Sequence, residues 1–99
     1  MRAVLHDLAR LLAREATGRL PDHQLLELYS GQQDERAFAA LVARYGPLVL
    51  GVCRRVLGDA HEAEDAFQAA FLILARKAAS VAQCRSTGRW LYKIGRAHV

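Results

Sequence analysis

Acidic residues stop at Asp65: residues 66–99 contain none, although they hold 6 Lys/Arg, whereas residues 1–65 carry 8 Lys/Arg and 10 Asp/Glu. A chain with net charge −2 on one part and +6 on the other directs its basic end at a polyanion. Cysteine is scarce throughout the chain. Cys53 and Cys84 stand alone, without CxxC or Cys/His spacing, which excludes a zinc site and leaves reduced thiols, Cys53 as a small core residue. Only two prolines interrupt the chain and strand-like alternation is absent, so the fold is expected to be all-α, a small bundle of four to five helices. No apolar block reaches 18 residues, which argues against a transmembrane span. There is no glycine-rich phosphate loop, GxSxG or Cys/His nucleophile motif, and no internal repeat.

Two further enzyme readings fail on chemistry. "HEAED", His61 to Asp65, ends on aspartate where a zincin needs histidine, so helix capping explains it better. Glu62, Glu64 and Asp65 lie near a solvated helix N-terminus, which favours ionised carboxylates and does not tune an acid/base pair. No enzyme activity, cofactor, metal or small-molecule substrate is expected.

At 99 residues, 53% of them hydrophobic, the chain has room for one compact core. Val4, Leu8, Leu11 and Leu12 make a short apolar stripe ending near Thr17-Gly18. Asp7, Arg10, Arg14 and Glu15 interrupt it and no small-residue cleavage site follows, so it reads as a helical extension over residues 1–20 and not as a signal peptide. The protein is expected to be cytoplasmic, with residues 21–99 as its domain.

After Pro21, Asp22 is expected to cap a helix bearing Leu25, Leu26, Leu28 and Tyr29 that closes at Ser30-Gly31. Asp34 caps the next, with Phe38, Leu41, Val42 and Tyr45 inward, until Gly46-Pro47 forces a kink or a restart. Leu48, Val49, Val52, Cys53 and Val56 continue the stripe to Gly58. Asp59, with Glu62 three residues on, resembles a capping box. The helix it opens buries Phe67, Ala70 or Phe71, Leu74 and Ala78.

That leaves Asp65, Gln68, Leu72 and Arg76 on a second face, which spacing alone reads as plain solvated surface more readily than as a protein-docking patch. "SVAQCRSTG", residues 80–88, is a loop or frayed turn. In "GRWLYKIGRAHV", Trp90, Leu91, Ile94 and His98 turn inward, with Trp90 a core anchor, while Arg89, Tyr92, Lys93 and Arg96 share the outer side. Cations flanking a ring suit unpaired nucleic acid; a solvated basic face fits the spacing as well, and the charge asymmetry favours binding. The chain stops in mid-helix, as a fragment of a longer protein would.

"DERAFAALVARYGPLVLGVCRRVLGDAHEAEDAFQAAFLILARKA" followed by "GRWLYKIGR" resembles region 2 of the bacterial extracytoplasmic-function sigma factors, from about Asp22 to the end. Several motifs fall in order, and the ordered set is specific. The resemblance implies a sigma-factor region 2 that binds core RNA polymerase and recognises and melts the minus-ten promoter element. Asp65, Gln68, Phe71 and Leu72 would dock on the clamp helices of the polymerase largest subunit. The loop and last helix, through Arg85, Ser86, Arg89, Tyr92, Lys93 and Arg96, would hold the single-stranded nontemplate strand of promoter DNA with one base unstacked. Ala69 stands where many relatives have glutamate, which makes the docking patch more apolar. The family's helix-turn-helix region 4 is not within these residues, and an anti-sigma factor is a further class of partner. The competing readings are a helical protein-interaction module and, third, a helix-turn-helix duplex binder.

Overall fold

The computed structural model of this chain describes residues 16–97, so the stripe at Val4, Leu8, Leu11 and Leu12 and the placement of His98 lie outside the described residues. A 3-10 turn, Ala16–Arg19, leads into α1 (Asp22–Gln32), α2 (Glu35–Leu57), α3 (Ala60–Val81) and α4 (Thr87–Ala97), with no strand among the described residues. The expected all-α bundle is the fold.

Short polar residues set the helix ends. Asp34 accepts from the amides of Arg36 (3.0 Å) and Ala37 (3.4 Å), satisfying two first-turn donors of α2. Asp59 does the same for α3 by accepting from the Glu62 amide at 2.9 Å. Gly58, at φ 71°, ends α2 in the left-handed conformation that only glycine adopts freely.

Three expectations are corrected. α1 does not close at Ser30-Gly31: it runs to Gln32, and Gln33 (φ 54°) makes the reversal, its amide donating to the Tyr29 carbonyl at 2.9 Å and its side chain to the same oxygen at 3.0 Å. Those two bonds hold a conformation that glycine usually supplies. Asp22 does not cap α1, because its carboxylate turns away to α2; the residue at the cap position is Pro21. Of the kink or restart expected at Gly46-Pro47, the restart does not occur: Pro47 lies inside one continuous helix. Proline removes the donor to one carbonyl, at a cost of about 3 kcal/mol. Burial of Leu41, Val42, Gly46, Val49, Val52 and Cys53 on both sides of it keeps one helix.

α3 is the central element, packed against α2, α1 and α4. Phe67, Ala70, Phe71, Leu74, Ala78 and Val81 are buried along it. Phe71 meets Phe67 at 5.1 Å between centroids and Phe38 edge-on at 6.4 Å, and Phe38 lies 4.7 Å from Tyr29, so one aromatic chain joins three helices. Leu48 and Val56, expected inside, are 40% and 52% exposed. Periodicity locates a face but not how far neighbouring helices reach along it. α2 is also long and apolar enough by composition to cross a bilayer, yet its apolar side is the one that meets α3 and α4 in the bundle.

Residues 82–86 form the loop between α3 and α4, shorter than expected because α3 continues to Val81 and α4 already begins at Thr87. Lys77 (φ −109°, ψ 16°) departs from helical geometry and redirects the last turn of α3. α4 is held by buried Leu91 with Trp90 and Ile94 half-buried at the core edge.

Phe71→Ala should lower stability by about 3–5 kcal/mol, a large part of what a domain of this size possesses, whereas Leu72→Ala should change it by less than about 0.5 kcal/mol. Urea unfolding followed by circular dichroism checks both; equal effects would contradict this placement of the two side chains.

Candidate functional site

Of the four residues expected to dock from α3, the structure brings three together on its outer side. Asp65 is exposed, Gln68 is half-buried, and Leu72 is 63% exposed, with Arg76 exposed one turn further on. Phe71 is corrected: it is 2% exposed and belongs to the aromatic core. At about 100° per residue, Phe71 lies about 40° from Phe67 but about 60° from Gln68 around the helix, which turns it inward. Its part is to hold α3 in place beneath that face. A large exposed leucine one turn beyond an amide and a carboxylate offers both an apolar anchor and hydrogen-bonding groups.

The second face is cationic. Arg85, Arg89, Lys93 and Arg96 are exposed on the loop and α4, and Tyr92 is 40% exposed among them. The Arg96 guanidinium lies 5.9 Å from the centre of the Tyr92 ring, so one face of the ring carries a cation already. Ser86 acts on the backbone: its Oγ accepts from the Arg89 amide at 3.2 Å and starts α4.

Two depressions flank this face, and both contain residues that sequence spacing does not assign to it. The first, about 410 Å³, is lined by Ser86, Gly88, Arg89, Tyr92 and Lys93 together with Leu48 of α2. Periodicity puts Leu48 in the core, and its exposure beside Tyr92 is what places it here instead. The second, about 250 Å³ and mostly polar, lies between the loop residues Ala82, Cys84, Arg85 and Ser86 with Thr87 of α4 on one side and the start of α1, Asp22 and His23, on the other. Nothing in the linear sequence brings residues 22 and 85 together.

Asp22 is the acid that borders this basic surface, and both of its carboxylate oxygens are engaged. Arg44 Nη1 lies 2.6 Å from Oδ1, and the Tyr45 hydroxyl donates to Oδ2. The other terminal nitrogen of Arg44 donates to the carbonyls of Gly18 (2.7 Å) and Leu20 (2.8 Å), tying the turn before α1 to α2. Burial pushes the Tyr45 hydroxyl up to about 12, helped by the hydrogen bond to Asp22 and its charge and opposed by Arg44.

Cys53 is buried and its thiol is raised by burial, as a core cysteine should be, while Cys84 is exposed in the loop. Among the described residues, no three His, Cys, Asp or Glu side chains gather as a metal site would need.

A helical bundle with a mixed patch on its central helix beside an acid-free basic helix is the arrangement that the sequence resemblance implies. The family model for sigma-70 region 2 matches residues 41–99. Over 73 residues, 74% of the chain, it is 37% identical to the RNA polymerase sigma-H factor of Pseudomonas aeruginosa, and over 71 residues, 72% of the chain, 37% identical to the ECF RNA polymerase sigma factor SigW of Bacillus subtilis. The chain belongs to the sigma-70 region 2 family. It spans 37% of the length of each of these relatives. No solved structure matches it.

Tyr45 gives a pH signature. Its folded pKa lies above the ordinary value of 10.0, so its contribution to stability is complete below pH 10 and falls as pH rises from 10 towards 12. Tyr45→Phe should remove that part of the decline, and the difference between parent and variant stability across this window, measured by urea unfolding, should shrink as pH rises. A constant difference would show that the hydroxyl is not held as described.

Proposed function

We propose that this chain is the region 2 part of a bacterial sigma factor, acting in the cytoplasm with core RNA polymerase in transcription initiation and performing no chemistry itself. The outer face of α3, Asp65, Gln68 and Leu72, docks on the clamp helices of the polymerase largest subunit. The loop and α4 hold the unpaired nontemplate strand of the minus-ten element: Arg85, Arg89, Lys93 and Arg96 neutralise phosphates, and Tyr92 offers the ring face not taken by Arg96 to a base. Ser86 supports this surface by starting α4. The polar depression between the loop and α1 takes an unstacked base, an opening that costs a few kcal/mol and is offset by stacking and phosphate contacts.

The observation that carries this reading is the segregation of the two surfaces. The polar-apolar patch and the cationic face lie on consecutive helices, α3 and α4, joined by a short loop, so a protein held by the first presents the second to a neighbouring strand. A module that only bound a protein would have no use for an acid-free cationic helix bordered by two depressions.

Asp65→Ala combined with Gln68→Ala, and separately Leu72→Ala, should weaken binding to purified core polymerase by about tenfold, the scale of an interface hot spot, with helix content unchanged. Parent-like affinity in both variants would remove the docking assignment. Arg89→Ala, Lys93→Ala and Arg96→Ala should each weaken binding to single-stranded DNA and lower the salt slope by roughly 0.7 for every phosphate no longer neutralised. Unchanged slopes would leave α4 as a solvated basic face.

A further inference from the structure

We propose that Tyr45 is a positioning residue for the nucleic-acid face, joining the start of α1 to the first turn of α4 so that the loop between them is held from both sides. This rests on the nucleic-acid reading above. The hydroxyl of Tyr45 donates to Asp22, which lines the polar depression opposite Arg85. The edge of the same ring meets α4: a Cβ added at Gly88 would stand 3.1 Å from Tyr45 Cε1, closer than side chains normally approach. Glycine is thus what allows the first turn of α4 to sit on the ring.

A larger residue at position 88 would press on a ring whose hydroxyl is bound to Asp22, and Asp22 is held in turn by Arg44 at 2.6 Å. Arg44 also grips the Gly18 and Leu20 carbonyls, so the anchor extends to the turn before α1. Tyr45 therefore touches both edges of the proposed strand-binding surface: Asp22 beside the polar depression, and Gly88 in the apolar one next to Arg89, Tyr92 and Lys93. It also keeps a carboxylate acceptable beside phosphate. With one oxygen paired to Arg44 and the other bound by the phenol, Asp22 presents less free negative charge to a polyanion.

The two edges can be loosened separately. Tyr45→Phe keeps the ring against Gly88 and releases Asp22; Gly88→Ala keeps the hydroxyl bond and crowds the ring. Binding of the 99-residue protein to a fluorescently labelled single-stranded DNA of mixed sequence is measured by anisotropy, at a temperature where circular dichroism shows every variant folded. Both substitutions should weaken binding by about five- to tenfold, the worth of roughly one hydrogen bond. Affinity for core polymerase should stay at the parent value, which a general loss of structure would not permit. Asp22→Asn, which keeps an acceptor for the phenol, should retain more DNA affinity than Asp22→Ala.

Lys93→Ala serves as the control for the reading beneath. If Lys93→Ala weakens DNA binding while Tyr45→Phe and Gly88→Ala bind like the parent, the positioning role is overturned and the nucleic-acid face stands. If Lys93→Ala also binds like the parent, or the parent does not bind, both fall. Should Tyr45→Phe fail to fold, Gly88→Ala decides, since alanine favours a helical backbone more than glycine.

Discussion

The structure depends on the burial of one stripe of α3. Phe67, Phe71 and Leu74 are buried in the shared core, and α3 packs there against each of the other three helices. Because a helix has two sides, sinking one stripe into the core lifts the opposite one, Asp65, Gln68, Leu72 and Arg76, to the surface. The proposed docking face therefore needs no separate scaffold. It is the reverse side of the residues that make the domain stable, so a small domain can present such a face on a well-packed helix.

The basic face is organised differently. α4 is short, carries Leu91 as its large fully buried side chain, and is amphipathic enough that its cations point outward. A short helix contributes little stability of its own, since it must be held by tertiary contacts. Those contacts come from below, through Leu91, Trp90 and Ile94, and from the side, where Gly88 rests on Tyr45. The loop before it is bounded by the redirected last turn of α3 at Lys77 and by the Ser86 cap. The surface proposed to admit an unpaired strand is thus built on a short helix and a loop, where small adjustments disturb the core least.

Much of this is legible in the sequence. Asp34 and Asp59 are recognisable as caps because their side chains act on amides two and three residues away, a purely local matter. The buried stripe of α3 follows from 3.6-residue periodicity, and the basic character of α4 from counting charges. Phe71 is the residue on which two signals conflict: the family resemblance places it at the docking face, periodicity places it inside, and packing against Phe38 and Phe67 decides for the inside. Asp22 misleads for the opposite reason. Its position suits a cap, but Arg44 and Tyr45, far along the chain, offer a charged partner and a phenol that outweigh one exposed amide bond.

What the sequence determined by itself is whatever acts within a turn or two of helix: the all-α class, the caps, the two-sidedness of α3 and the acid-free cationic end. Tertiary structure alone decided how far each apolar stripe is covered, leaving Leu48 beside Tyr92 in place of the core, and which distant side chains meet, bringing Asp22, Tyr45 and Gly88 into one strut. The physical reason is range. Backbone hydrogen bonding and helical periodicity are properties of neighbouring residues, whereas burial and ion pairing between helices exist only once the chain has been folded back on itself.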